Sequence, residues 1–278
     1  MTRGQGDKGN PRLVAVSPDH RVTVEEWHNW FSVQANWTHP TRTWLYQQIG
    51  LARAGAILEV GCGTGVITAE LAHLSHGAVT GLDIDFARLT FARQQAEREA
   101  YVQGDAYVLP FASDSFDIVA CHYLLLWLAD PLGAVREMAR VTRPGGAVLV
   151  CAEPDYGGRI DHPAELVPLG QLQVEALRRQ GANPNTGRRV GGLLAGAGLQ
   201  ATVGVMAGRW DLGAPVDGEF EAEWQMRKHD LAGLVSEREL ETAQAIDRQA
   251  MLSGRRLLFV PTFYGIGRKS AAGNRNKE

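Results

Sequence analysis

The sequence predicts an α/β fold in which a parallel sheet is covered by helices on both faces. Three observations carry this. Short, nearly continuous apolar runs recur at 56–60, 78–84, 116–121 and 147–152, as strands buried on both faces require. Stretches with apolar residues at helical spacing separate them. The 278-residue chain is 45 % hydrophobic and 21 % charged, the balance of a globular protein long enough for a sizeable core.

Each element has its own signal. Residues 1–20 open polar and glycine-rich, read as a flexible arm and lack the apolar core of a secretory signal. Trp27, Trp30, Phe31 and Gln34 fall at i, i+3, i+4, i+7 and predict a helix. Pro40 suits the first turn of a second helix, with Thr38 or His39 as cap and Trp44, Leu45 and Ile49 as its stripe. Ala56–Val60 is a strand that runs into Gly61-Cys62-Gly63-Thr64-Gly65. A helix over 66–76 follows, then strand Ala78–Ile84, helix Phe86–Glu99 and the short strand Tyr101–Gln103. Phe116–Cys121 is the fourth strand. Asp130-Pro131 caps a helix carrying Leu132, Val135, Met138 and Ala139, which Pro144-Gly145-Gly146 stops. Ala147–Ala152 is the fifth strand. Beyond residue 155 helices are expected near 163–180, 188–197, 218–232 and 237–253. Strands near 200–207 and 256–266 would close the far edge of the sheet. The domain reading is an arm at 1–20, a helical cover at 21–54, a catalytic domain at 55–267 divided at 155 and 156, and a basic frayed tail at 268–278.

Composition excludes several functions. The net charge of −3, from 31 acidic and 28 basic side chains, gives no global pull toward nucleic acid or anionic membrane. The three cysteines, Cys62, Cys121 and Cys151, are odd in number and show no C-x-x-C spacing. They suit a reducing compartment and neither a disulfide framework nor a zinc site. No apolar run reaches the ~18 residues of a membrane span. The cytoplasm is the expected location, and the protein is expected to be a monomer or homodimer.

The chemistry-bearing signal starts at the glycine loop, which follows a strand and opens a helix. Glycines there permit a tight turn and close approach of backbone amides to a ligand. The spacing departs from the dinucleotide pattern G-x-G-x-x-G, because Val66 occupies the last position, and no Gly-Lys-Ser/Thr follows. Glu59, two residues before the first glycine, would repel a pyrophosphate and favour a ligand bearing an ammonium and a sulfonium. Asp83 ends the second strand, where an acid can accept from both ribose hydroxyls. In Gly104-Asp105-Ala106 a carboxylate can accept from an adenine amino group. The purely structural alternatives are a connecting turn at 61–65, a turn role for Asp105 and a helix cap for Asp85. The cap is the preferred reading for Asp85.

With these residues in order, the sequence resembles the class I S-adenosylmethionine-dependent methyltransferases. The matching stretches are Ile57–Gly65, Gly81–Asp85, Gly104–Ala106, Phe116–Val119 and Arg143–Gly146. The resemblance implies a Rossmann-like doubly wound sheet of seven strands ordered 3-2-1-4-5-7-6, the seventh antiparallel. It implies S-adenosyl-L-methionine as cofactor, contacted by Glu59, Gly61, Cys62, Gly63, Thr64, Gly65, Asp83 with Ile84, Asp105 with Ala106, and His122 just after the fourth strand. For His122 a backbone-satisfied structural role is the alternative.

Methyl transfer from a sulfonium is an in-line displacement, so the protein mainly aligns donor and acceptor and excludes water. No obvious general base is present. Candidates for the acceptor side are Tyr123, Asp155 and Tyr156 at strand ends and Trp27, His28, Trp30, Trp37 and His39 in the N-terminal helices. Four of the seven tryptophans fall between 27 and 44. They either pack these helices onto the sheet or form an aromatic cover over the acceptor. No Asn/Asp-Pro-Pro-aromatic run follows the fourth strand, and no basic cluster occurs before the tail. These absences favour a small-molecule acceptor over nucleic acid. An aminopropyl transferase on the same fold and a non-catalytic cofactor-binding or assembly protein are the alternatives.

Overall fold

A computed structural model describes residues 22–206, 208 and 216–271. The expected arm, and all but the first residues of the expected tail, lie outside the described residues. The described elements run α1 (Val24–Ile49), β1 (Ala56–Val60), α2 (Val66–Leu74), β2 (Ala78–Asp83), α3 (Phe86–Gln95), β3 (Ala100–Gln103), β4 (Phe116–Cys121), α4 (Pro131–Val141), β5 (Thr142–Pro154), β6 (Ile160–His162), α5 (Val167–Arg179), α6 (Val190–Gly196), β7 (Gln200–Val205), α7 (Gly218–Asp230), α8 (Glu237–Leu252), β8 (Leu257–Phe259) and β9 (Thr262–Arg268). The main sheet is ordered β3-β2-β1-β4-β5-β9-β7. Counting sheet strands alone, that is 3-2-1-4-5-7-6. The last in sequence, β9, is antiparallel to both neighbours.

Strand alternation explains the two cores. Successive side chains point to opposite faces. Leu58, Val60, Val119, Val148 and Val150 pack on one face with Val135 and Met138 of α4 and Leu193 and Leu194 of α6. Ile57, Ile118, Ala120, Leu149 and Cys151 pack on the other with Leu45 and Ile49 of α1 and Ile67 and Leu71 of α2. Glu59 alternates with Leu58 and Val60, so it points to the face covered by α1 and α2. A third core, with Phe220, Trp224, Leu231 and Leu240 among its members, joins α5, α7 and α8 into a separate wall.

Several boundaries differ from the sequence reading. Residues 24–49 form one helix, with Pro40 inside it. Pro40 lacks an N–H and cannot satisfy the carbonyl of Asn36. The buried Arg42 reaches back and donates to the adjacent carbonyl of Ala35 at 2.5 Å and to Thr38 Oγ1. Helix α3 stops at Gln95 and not at Glu99. The following Arg98 donates to the carbonyls of Ala72, Ser75 and Gly77, which holds 96–99 off the helical path. The expected strand at 256–266 is two strands parted at Val260-Pro261. β8 pairs with β6 in a two-stranded ribbon that the sequence reading missed, and β9 enters the main sheet. Strand β5 is longer than expected and begins at Thr142, directly after α4. The first residues of the expected tail are anchored. Arg268 belongs to β9, and Lys269 Nζ donates to Asp114 and to the carbonyls of Ala139 and Thr142.

Candidate ligand-binding site

The site lies at the carboxyl ends of the parallel strands, where an open α/β sheet presents its ligands. Gly61, Gly63 and Gly65 all have positive φ (76°, 52° and 86°), a region costly for other residues. A Cβ on Gly61 would come within 2.7 Å of Leu124, and one on Gly65 would collide with the Tyr101 hydroxyl. The loop is tied to β2: Gly61 N–H and Cys62 N–H donate to the Leu82 carbonyl, and Gly63 N–H donates to Asp83 Oδ2 at 2.7 Å. Asp83 Oδ1 accepts from Asp85 N–H at 2.9 Å. Asp85 itself caps α3, accepting from Ala87 and Arg88 amides, so the cap reading holds.

Glu59 is buried, and Thr68 of α2 donates a hydrogen bond to it. Burial pushes its carboxyl up to about 8; the Thr68 hydroxyl pulls it down, the charge of Asp83 pushes it further up, and Arg42 opposes. A buried carboxyl kept largely protonated for want of a cation is a fitting neighbour for a cationic ligand group.

After β4 the backbone is strained: Tyr123 has φ 51°, unusual for a bulky residue. Glu153 near the end of β5 holds this turn, accepting from the amides of Leu124, Leu125 and Leu126 at 2.9, 2.6 and 3.1 Å. Sequence reasoning missed Glu153, because nothing local distinguishes it from a surface acid. His122 is kept neutral, pulled down to about 3 by burial and by the charge of Arg42. Its Nε2 lies 2.9 Å from Thr38 Oγ1 of α1. That oxygen already accepts from Arg42, whose other guanidinium nitrogens hold Glu70 of α2 at 3.0 and 2.5 Å. The Thr38 hydroxyl is 2.9 Å from His122 and 3.3 Å from the Ala35 carbonyl, which Arg42 also occupies. The Thr38 hydroxyl donates to the Ala35 carbonyl, and the direction of its contact with His122 follows the imidazole tautomer.

Helix α1 runs over these strand ends beside an open-sided cavity of about 820 Å³. The cavity wall includes Glu59, Gly61, Cys62, Gly63, Asp83, Ile84, His122, Tyr123 and Tyr156 and, from α1, Trp27, Trp30 and Trp37. Five residues missed as candidates line it too: Phe31, Gln34 and Thr38 of α1 and Met226 and Asp230 of α7. The spacing of Phe31 and Gln34 with Trp27 put them on the same face and was the available signal.

Other candidates lie outside this wall. Thr64 Oγ1 is 3.0 Å from His28 Nδ1, and the His28 ring rests 4.9 Å from Phe91, so this pair ties α1 to the glycine loop. Gly65 is the residue at which α2 begins. Asp105 accepts from Tyr107 N–H at 2.9 Å and bridges to Val108, the geometry of its turn reading, with Ala106 beside it. Asp155 is corrected to a structural role. It is buried, and its carboxylate is taken by Arg188 at 2.5 and 2.7 Å and by Gly157 N–H. His39 faces outward, 3.5 Å from Glu70.

The residues present suit S-adenosylmethionine. Two carboxylates, Glu59 and Asp83, face a space of the size that takes small ligands, the loop between them rejects a Cβ, and none of the phosphate-binding motifs is present. Cys62, Cys121 and Cys151 are buried free thiols, and among the described residues no helix is long and apolar enough to cross a membrane.

Comparison with known proteins agrees. Residues 58–150 match the methyltransferase domain family. An uncharacterized methyltransferase of Schizosaccharomyces pombe is 32 % identical over 169 residues, 56 % of this chain and 60 % of that protein. A demethylmenaquinone methyltransferase of Mycolicibacterium paratuberculosis is 37 % identical over 154 residues, 54 % of this chain and 64 % of that protein. The chain thus spans less than two thirds of the length of either relative. Among solved structures, the [4+2]-cyclase SpnF superposes with a TM-score of 0.53 at 17 % identity, covering 83 % of this chain and 80 % of that one. A geranyl diphosphate methyltransferase in complex with GPP and sinefungin gives 0.53 at 14 %, covering 83 % and 77 %. These structural likenesses establish the fold. The sequence match and the strand order together show that residues 58–150 carry a methyltransferase domain on a Rossmann-like sheet.

Proposed function

We propose that the protein transfers a methyl group from S-adenosylmethionine to a small-molecule acceptor held under α1. The observation that carries this is one cavity whose wall joins Glu59 and Asp83 of the strand ends to the aromatic side chains of the cover. S-adenosylmethionine, when bound, supplies a sulfonium-activated methyl group. On this reading Glu59 balances its cationic part, and Asp83 accepts from the ribose hydroxyls. His122, held by Thr38, stands at the end of β4. The faces of Trp27, Trp30 and Phe31 exclude water, which strengthens the electrostatics inside. Alignment of this kind is worth roughly 7–11 kcal/mol, so no general base is required of the chain. On the domain reading residues 21–54, which contain α1, are the cover and 55–267 the catalytic domain. The cavity of small-ligand size and the net charge of −3 favour a small acceptor over nucleic acid, and the buried free thiols accord with the cytoplasm.

The test is calorimetry with S-adenosylmethionine and S-adenosylhomocysteine. Both should bind at micromolar affinity, about −8 kcal/mol, followed by turnover on a panel of small acceptors. No heat with either ligand, together with tight binding of NAD, would overturn the reading.

A further inference from the structure

We propose that the acceptor carries a protonatable amine and that Asp230 holds it. This rests on the methyl-transfer reading and adds a substrate class to it. The argument is a charge ledger of the wall formed by α7 and its neighbours. Glu223 lines the cavity, and Arg227 and Arg256 neutralise it. Asp247 pairs with the same two arginines and accepts from Trp224 Nε1, so this buried group closes with two charges of each sign. Asp217 is spent on capping α7 through the amides of Glu219 and Phe220.

Asp230 is different. It lines the cavity with its side chain 20 % exposed, and among the described residues no arginine or lysine pairs with it. Its hydrogen-bond donor is the neutral amide of Gln173, 2.9 Å from Oδ2. The guanidinium on the far side of Gln173, Arg159, is held bidentately by Asp161 and donates to Gln173 Oε1 at 2.6 Å. Its charge is thereby matched before it reaches Asp230. The nearest ionisable partner among the described residues is the ring of His229, Nδ1 at 3.8 Å from Oδ1, beyond hydrogen-bond distance.

A partly buried carboxylate with one neutral donor, beside arginines already matched by other acids, gains from a ligand that supplies the missing charge. The surroundings suit a cation on an apolar body. His229 makes ring contacts with Trp27 at 5.5 Å and Trp30 at 5.3 Å, which brings Trp30 of α1 to the residue beside Asp230, while the Trp27 face carries the Arg88 guanidinium. The Tyr156 phenol is pushed up chiefly by burial and further by the nearby Asp230 charge. Aromatic faces beside a carboxylate attract an ammonium. An anionic acceptor meets Asp230 and Glu219 on the same wall and is repelled.

Three probes of one size separate the possibilities: 2-phenylethylamine, 2-phenylethanol and phenylacetate. Each is titrated by tryptophan fluorescence into the full chain saturated with S-adenosylhomocysteine. The amine should bind roughly tenfold or more tightly than the alcohol, with phenylacetate weakest. Asp230→Asn should remove the amine preference, leave the alcohol within about twofold and leave S-adenosylhomocysteine affinity unchanged. Asp230→Glu should restore the preference, which separates charge recognition from a folding defect. Equal binding of amine and alcohol, failure of the amine to bind at millimolar concentration, or an amine preference that survives in Asp230→Asn overturns the proposal. Failure of the methyl-transfer reading shows separately, as absence of S-adenosylhomocysteine binding before any probe is added.

Discussion

Glu59 couples cofactor binding to protons. In the ligand-free fold its carboxyl titrates at about 8, chiefly because it is buried. At pH 7 about one molecule in ten therefore carries the charge there. A cationic ligand group placed beside it favours the carboxylate, so binding at pH 7 should release about 0.9 proton. Apparent affinity scales inversely with one plus the ratio of protonated to ionised carboxyl. That ratio falls from about 100 at pH 6 to about 10 at pH 7, a gain in affinity of about ninefold, or about 1.3 kcal/mol. Above pH 7.5 the ligand's own α-amine begins to lose its proton, so the informative window is 6.0 to 7.5. Calorimetry with S-adenosylhomocysteine in two buffers of different ionisation enthalpy gives the proton count directly. Glu59→Gln keeps the acceptor for Thr68 but cannot titrate. It should show no proton release from this site and an affinity flat across the window. Equal slopes in parent and variant would refute the assignment of Glu59 as the charge partner.

Three further outcomes follow from the same geometry. Asp83→Ala should weaken cofactor binding ten- to a hundredfold, the loss of charge-assisted hydrogen bonds worth roughly 1.5–3 kcal/mol; Asp85→Ala should cost about 1 kcal/mol of stability as a lost helix cap and leave affinity alone. Calorimetry and thermal melts decide between the two aspartates. In the ligand-free protein Glu59 and Glu153 both sit at about 8, above the unfolded value of 4.5, and His122 sits at about 3, below 6.5. The His122 contribution is complete above pH 6.5, while the two acids go on losing stability until pH 8, so the melting temperature should fall between these values, by at most about 4 kcal/mol in stability; a rise across that window would contradict the buried acids. Deleting residues 1–38 removes Trp27, Trp30, Phe31 and Trp37 but keeps Leu45 and Ile49 on the sheet. The circular dichroism spectrum should persist while turnover is lost and cofactor binding weakens, and full activity would place the cover elsewhere.

The sheet was legible because its evidence is local. Strands such as Ile57–Val60 and Phe116–Cys121 are apolar on both faces, and the glycine loop, Asp83 and the Asp130-Pro131 cap each announce themselves within a few residues. What failed depended on distant partners. Pro40 reads as a helix start, yet α1 runs through it, with the buried Arg42 donating back to the carbonyl of Ala35. Arg98 ends α3 by reaching three carbonyls between residues 72 and 77. Asp155 stands at a strand end like a ligand-binding acid, but Arg188, 33 residues away, takes its carboxylate. Glu153 has the same composition around it and the opposite fate: it organises the turn at Tyr123 through three amides.

The cover helix shows why such distant partners matter to the site. A proline in mid-helix costs about 3 kcal/mol in isolation. Here Arg42, fully buried and ion-paired to Glu70, supplies donors to the same stretch of backbone. Removing Glu70 would leave the buried Arg42 charge without its ion pair, a loss of roughly 3–5 kcal/mol. Thr38 belongs to the same hydrogen-bonded group and passes its constraint to His122. The orientation of His122 at the end of β4 is therefore set by α1 and α2 together, and not by the sheet that carries it. A cover assembled this way is part of the binding surface: the Arg42 contacts beside Pro40 also hold Thr38, which touches His122.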